Sequence, residues 1–281
     1  MRIEVDQLNK KLGSFSLSQI SFTLPEGYIC GLIGRNGAGK TSLLHLLSGV
    51  YKQDQGTILI GGKAYGEKSR EILDEIGLVL QEPLFDQAET LYHNACFYGS
   101  YYKRFDLELM REYLNRFGLM EKTHYGRLSK GEQLKFQFAF ALSHQARLLL
   151  LDEPTGNFDL RFREEFLCLL KEFISNGKNS VILSTHVTGD LDKVADYILY
   201  LQKGKLRLFA DVETLRDSYR MIQGEGYKIR LLKKDRILYQ EEGVFGTRAL
   251  VTAGRNSHFD KSLQVWKPTL EELMYGLEKG K

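Results

Sequence analysis

The stretch GRNGAGKTS, from Gly34 to Ser42, decides how the rest of the chain is read. It satisfies G-x-x-x-x-G-K-[ST], a spacing with a physical reason. Glycines let the backbone fold into a nest of N–H groups that converge on an anion, the lysine reaches the outer phosphates, and the next hydroxyl can serve a Mg²⁺ ion. The flanks agree. The apolar run YICGLI (Tyr28–Ile33) reads as a strand, and Leu43, Leu46, Leu47 and Val50 put one apolar face on a helix from about Thr41 to Val50.

Outward from this loop, RIEVDQL, SFSLSQISFTL and GTILIGG read as glycine-punctuated strands within the first 65 residues, and IGLVL (Ile76–Leu80) is another short strand. From about Pro83 to Ala146 the period becomes helical. TLYHNACFYGSYYKRF is dense in aromatics, DLELMREYLNRFGL repeats apolar residues at helical spacing, and EQLKFQFAFALSHQA is apolar nearly all round, which predicts a buried helix. Alternation resumes with RLLLLD, a run suited to a central parallel strand. A helix follows on Phe162, Phe166, Leu169, Leu170 and Phe173, then the strand SVILST, then DYILYLQKGKLRLFA as a hairpin turning at Lys203–Gly204. Beyond about Leu215, YKIRLLKKD, TRALVTAG and KSLQVWKP read as short strands. The closing PTLEELMYGL opens on a Thr269/Glu272 cap and sets Leu270, Leu273, Met274 and Leu277 on one helix face. The pattern is an α/β core with an inserted helical block.

A net charge of +3 over 281 residues gives no argument for nucleic acid. Cys30, Cys96 and Cys168 are far apart, with no metal or disulfide spacing, and fit a reducing compartment. The charged start MRIEVDQLNKK does not read as a signal peptide, and no stretch nears the roughly 18 apolar residues of a bilayer span. The expectation is a cytosolic chain whose membrane role, if any, runs through a partner.

A phosphate-binding loop needs a second carboxylate for its metal, normally at the end of a neighbouring parallel strand. LLLLDE supplies it: Asp152 ends the strand, and Glu153 is placed to activate or orient a water against the γ-phosphate. Within GRLSKGEQLKF (Gly126–Phe136), Ser129 and Glu132 form a capping box. A helix start can equally bind phosphate, and nothing inside that stretch separates the two uses.

Taken together, GRNGAGKTS, Gln81 in VLQEP, LSKGE (Leu128–Glu132), LLLLDEP, GNFD ending at Asp159, and His186 in STH stand in a fixed order. Over residues 1 to about 210 the chain thereby resembles the nucleotide-binding subunit of ATP-binding-cassette (ABC) transporters, with its Walker A loop, Q-loop, signature, Walker B strand, D-loop and H-loop. The resemblance implies a P-loop NTPase of ABC type: a mixed core sheet, an N-terminal antiparallel β-subdomain and a helical subdomain inserted at about 83–146. These would lie in a domain of residues 1–215, followed by a small α+β module, 216–281. It also implies ATP and Mg²⁺. Gly34, Arg35, Asn36, Gly37, Ala38, Gly39, Lys40, Thr41 and Ser42 would hold the phosphates, and Thr41, Gln81 and Asp152 the metal. Lys40, Gln81, Glu153 and His186 would carry catalysis. Ser129, Gly131 and Glu132 would face the partner subunit's ATP across a head-to-tail dimer, so that the capping box holds a phosphate-binding helix start ready, with Asp159 at the seam.

Two departures stand out. Lys130 and Glu132 replace the signature's usual glycine and glutamine, while Ser129 and Gly131 are kept. The slot of the adenine-stacking aromatic, in KKLGSF, holds Leu12, with Phe15 the nearest ring. The resemblance implies an ATPase that powers a membrane transporter, with a second nucleotide-binding subunit and an integral permease as partners. The permease would dock on the helical subdomain, where Tyr92, Phe97, Tyr98, Tyr101, Tyr102 and Phe105 form either its socket or the core of a helical bundle. The tail resembles bacterial bacitracin- and lantibiotic-type exporter ATPases. That implies export of peptide, antibiotic or lipid-like cargo from the cytoplasmic face of a bacterial membrane. The alternative is a soluble ABC ATPase driving a non-transport assembly. A regulatory module with degraded catalysis is opposed by the intact Lys40, Asp152, Glu153 and His186.

Overall fold

The computed structural model describes residues 1–66, 69–232, 236–243, 246–254 and 257–279. They divide into two compact units, Met1–Val187 with Tyr197–Phe209, and Thr188–Asp196 with Ala210–Lys281.

In the first unit, alternation of apolar and polar residues produces an antiparallel sheet of β1 (Ile3–Leu12), β2 (Phe15–Leu24), β4 (Gln55–Ile60) and β5 (Lys63–Ala64), in the order β2-β1-β4-β5. Val5 pairs with both Phe22 and Ile58, and all three are buried, so one face of this sheet is core. The second sheet holds β3 (Ile29–Ile33), β6 (Ile76–Val79), β7 (Leu148–Asp152), β8 (Ser180–Ser184), β9 (Tyr197–Gln202) and β10 (Lys205–Asp211), in the order β10-β9-β3-β8-β7-β6. From β9 to β6 every pair is parallel. Each residue of β3, β7 and β8 is buried, the condition of strands covered on both faces. A buried valine, leucine or isoleucine there stabilises the fold by about 1.5–3 kcal/mol. The β9–β10 hairpin turns at Lys203 and Gly204, both at positive φ (48° and 74°), as a two-residue turn of primed type requires.

Helices α1 (Lys40–Leu47), α2 (Ser69–Leu73), α3 (Leu91–Gly99), α4 (Leu107–Arg116), α5 (Lys130–Ser143) and α6 (Leu160–Ile174) complete this unit. Helix α1 is shorter than its pattern suggests. Gly49, at φ 73°, takes the left-handed conformation that ends helices, and Val50 is left 58% exposed instead of on the apolar face. Helix α5 is buried at Leu134, Phe136, Gln137, Phe138, Ala139, Phe140 and Ala141, in line with its nearly continuous apolar surface. The aromatic cluster divides. Tyr98 packs on Phe85, Tyr102 on Phe140 and His144, and Phe105 on Phe140, whereas Tyr92, Phe97 and Tyr101 are exposed.

The second unit contains α7 (Thr188–Val194), α8 (Val212–Ser218), α9 (Gly226–Arg230) and α10 (Leu270–Lys279). They surround β11 (Tyr219–Gly224), β12 (Ile237–Gly243), β13 (Gly246–Thr252) and β14 (Gln264–Trp266), in the order β12-β13-β11-β14. The division differs from the expected boundary at residue 215. Helix α7 joins this unit because the Asp192 carboxylate pairs with Arg216 at 2.6 Å and accepts the Leu270 N–H at 3.1 Å. YKIRLLKKD is not a strand: residues 226–230 form α9, steadied by a Glu225–Lys228 ion pair of 3.0 Å, and Lys233–Asp235 lie outside the described residues. Two further strands, YRMIQG and ILYQEEG, carry no clear alternation: Met221 and Ile222 are buried side by side, and no residue of ILYQEEG is buried.

Candidate functional site

Parallel pairing brings four chain segments to one edge. Leu32 of β3 lies beside Ser184 of β8, Ser184 beside Asp152 of β7, and Leu151 beside Val79 of β6. The loops leaving these strands therefore emerge together at their carboxyl ends, where open α/β sheets hold ligands. There they line a cavity of about 870 Å³, with Phe15, residues 35–42, Gln81, Asp152, Glu153, Asn157 and His186 on its wall.

Packing restricts two of the loop's glycines, Gly34 and Gly39. A Cβ on Gly34 would stand 2.5 Å from the Leu201 carbonyl oxygen, and one on Gly39, at φ 107°, would stand 2.6 Å from Leu17. Gly39 caps α1, whose first N–H groups have no partner within the helix and face outward with the positive end of its dipole. Lys40, 7% exposed, donates to the Gly34 carbonyl at 2.8 Å and lies 3.3 Å from Glu153 Oε1. Thr41 Oγ1 donates to Asp152 Oδ2 at 2.7 Å. Asp152 is 3% exposed, and its Oδ1 is buried without a hydrogen-bond partner. A carboxylate oxygen so placed, beside a hydroxyl and at the foot of a phosphate loop, fits a hard divalent cation. Among the described residues no group of three His, Cys, Asp or Glu side chains forms a metal cage. This suits an ion that keeps water and phosphate oxygens as its other ligands.

Glu153 follows the strand end in a left-handed conformation, φ 50° and ψ 37°, which costs a non-glycine residue of order 1–3 kcal/mol and is characteristic of functional sites. Its N–H is bonded to the Ser184 carbonyl at 3.0 Å. Its Oε2 accepts the His186 N–H at 3.1 Å and contacts His186 Nδ1, while Oε1 faces Lys40. Glu153 and His186, 33 residues apart in sequence, meet because β7 and β8 are neighbours. Gln81 Nε2 donates to the carbonyls of Asp152, at 3.3 Å, and Glu153, at 2.9 Å.

The helix start at Ser129 stands elsewhere. Ser129, Gly131, Glu132 and Asp159 do not line the cavity. The capping box is complete: Glu132 Oε2 accepts the Ser129 N–H at 2.8 Å, and Ser129 Oγ accepts the Glu132 N–H at 3.3 Å. Ser129 Oγ also donates to Glu132 Oε2 at 2.7 Å. A Cβ on Gly131 would lie 2.5 Å from the Asn157 carbonyl oxygen, so helix and cavity wall touch at that glycine. Lys130 is half-buried, and burial pushes its ammonium below the usual lysine range against the pull of Glu82. Asp159 caps α6 and pairs with Lys135 at 3.4 Å.

Comparison with known proteins decides what this geometry belongs to. The sequence pattern of the ABC transporter family matches residues 17–156. The ABC transporter ATP-binding protein YtrB of Bacillus subtilis is 33% identical, over 79% of this chain and 76% of its own. The chain belongs to the ABC transporter family. The bacitracin transport ATP-binding protein BcrA of Bacillus licheniformis is 31% identical, over 73% of this chain and 68% of its own. The fold agrees with the ATP-binding cassette MJ0796, solved as a dimer in a post-hydrolysis state bound to ADP and Pi. The TM-score is 0.68 at 21% identity, covering 75% of this chain and 98% of that one. This ABC subunit binds ATP, and its reaction is ATP hydrolysis coupled to transport. ABC ATPases work as dimers with membrane permease partners, and among the described residues no helix is long and apolar enough to cross a membrane.

The motifs assign no role to Asn157, on the cavity wall, nor to a residue behind it. Gln137, buried in the middle of α5, holds the backbone on both sides of Gln81. Its only signal is an amide at a core position of an apolar helix.

Proposed function

We propose that the chain is the ATP-hydrolysing subunit of a membrane exporter of peptide, antibiotic or lipid-like cargo. The observation that carries this reading is the meeting of Lys40, Thr41, Asp152, Glu153 and His186 at one sheet edge, within a cavity walled by the loop of residues 35–42. In this reading the loop's N–H groups and Lys40 bind the β- and γ-phosphates, and Lys40 stabilises negative charge on the transferred phosphoryl group. Thr41 and Asp152, with Gln81, would hold Mg²⁺, which neutralises phosphate charge. Glu153 takes up the proton of the attacking water, and His186 fixes the orientation of that carboxylate. Phe15, on the cavity wall, supplies the ring for adenine.

Ser129, Gly131 and Glu132 are off this cavity, so a second subunit, identical or related, would bring its own signature to the γ-phosphate. Asp159 would then stand near the seam. The exposed Tyr92, Phe97 and Tyr101 offer an aromatic surface for the permease. Similarity to a bacitracin transport protein, together with the tail, supports export and a place at the cytoplasmic face of a bacterial membrane.

The test is affinity purification of the full chain from detergent-solubilised membranes of its host, followed by mass spectrometry. A stoichiometric multi-span protein is the expected result. Recovery with soluble proteins alone, and absence from membranes, would replace transport with a soluble assembly role.

A further inference from the structure

Gln137 is 1% exposed in a helix whose neighbouring core residues, Leu134, Phe136, Phe138 and Phe140, are apolar. A buried amide is tolerated when its donors and acceptor are matched. Here all are. Oε1 accepts the Leu80 N–H at 2.8 Å, and Nε2 donates to the Glu82 carbonyl at 3.0 Å and to the Tyr125 hydroxyl at 3.2 Å. The two backbone groups flank Gln81. Strand β6 stands at the sheet edge and ends at Val79, so the amide of Gln137 takes over where the ladder stops.

The helix grips the other end of β6 as well. His144 Nε2 lies 3.1 Å from the Ile76 carbonyl. Between the two grips, a Cβ on Gly77 would stand 2.7 Å from the Ala141 Cβ, so helix and strand are in close contact. Helix α5 and β6 form one packed body, with Ser129 at one tip and Gln81 just beyond the strand.

We propose that Gln137 is a positioning residue for ATP hydrolysis. It fixes the backbone of residues 80–82, so that Gln81 stands against the Asp152 and Glu153 carbonyls, and it ties that position to the helix that carries Ser129. The inference rests on the site reading given above and adds to it a residue that touches neither nucleotide nor metal.

The experiment is steady-state ATP hydrolysis by the full chain as wild type, Gln137→Leu, Gln81→Ala and the double variant. Gln137→Leu lowers kcat about ten- to a hundredfold, the scale of a small misplacement at a reacting centre. KM for ATP stays within about twofold, since the phosphate loop stands on other elements. On the Gln81→Ala background the loss disappears, because both changes act through one group. Gln137→Met, which removes the acceptor and both donors at nearly the same shape, shows the same loss and carries the same cycle should Gln137→Leu not fold. An equal loss on the Gln81→Ala background, or a change in KM alone, would overturn the inference and leave Gln137 a packing residue. Gln81→Ala at the wild-type rate would refute the role of Gln81 itself, and the inference with it.

Discussion

Single side chains make the sharpest distinctions. Asp152 Oδ1 is buried without a partner beside the Thr41–Asp152 hydrogen bond, a setting that fits a cation. Asp152→Asn should raise the Mg²⁺ concentration for half-maximal ATP hydrolysis about ten- to a hundredfold, and an unchanged Mg²⁺ titration would exclude Asp152 from the metal site. At the signature, the single proton of the Ser129 hydroxyl is committed to the Glu132 carboxylate. In the proposed dimer that would leave lone pairs and a negative charge toward the partner's phosphate. Glu132→Gln keeps an acceptor for the Ser129 N–H, so the cap persists, and it removes the charge. ATP-driven association, measured by light scattering on a Glu153→Gln background, should tighten roughly tenfold. Unchanged or weaker association would contradict this. Lys40, Asp152 and Glu153, marked by local motifs, and His186, marked by its place in their order, line one cavity. Gln137 was not legible in the sequence, since its two backbone partners lie 55 and 57 residues away and meet it when α5 packs on β6.

Among the elements, α5 concentrates the coupling. At its end His144 is buried between the Phe140 and Ile76 carbonyls and stacked on Tyr102, with Asp74 and Arg104 the charges nearest to it. Burial brings its pKa from 6.5 down to about 4, and the carbonyls oppose the shift in part. A neutral ring carries one N–H, so only one of the two carbonyls receives it. A depressed pKa in the fold means that, below about pH 6.5, the unfolded chain takes a proton which the native ring refuses until about pH 4. Stability is therefore complete above that window and falls through it, by roughly 2 kcal/mol at about pH 5. Urea unfolding of wild type and His144→Gln near neutrality and at about pH 5 checks this. The wild-type loss should exceed the variant's by about that amount, and equal losses would contradict it. Helix α5 was legible from its capping box and apolar content. Helix α9 was not: YKIRLL can satisfy either period over so short a run.

At the scale of the whole molecule, sequence order and spacing revealed the cassette: the motifs at Gly34, Gln81, Asp152 and His186 each end or follow a strand of one parallel sheet, while Ser129 opens α5 and Asp159 caps α6. The second unit was harder to read. Helix α7 belongs to it although it lies between β8 and β9 in the chain, as the long-range contacts of Asp192 reveal. The aromatic cluster likewise needed three dimensions to separate core rings from exposed ones. Phe97 and Tyr101, 52% and 59% exposed, do not line the cavity that holds Lys40 and Glu153. Phe97→Ser with Tyr101→Ser should leave ATP hydrolysis by the isolated chain unchanged and weaken recovery of the membrane partner. Undiminished recovery would move the docking surface elsewhere. The measurement that tests the account most directly is ATP turnover by the purified full chain beside Glu153→Gln, with nucleotide binding followed in parallel. The account predicts a fall in kcat of about a hundredfold or more with ATP binding retained. Turnover at the wild-type rate in Glu153→Gln would contradict it.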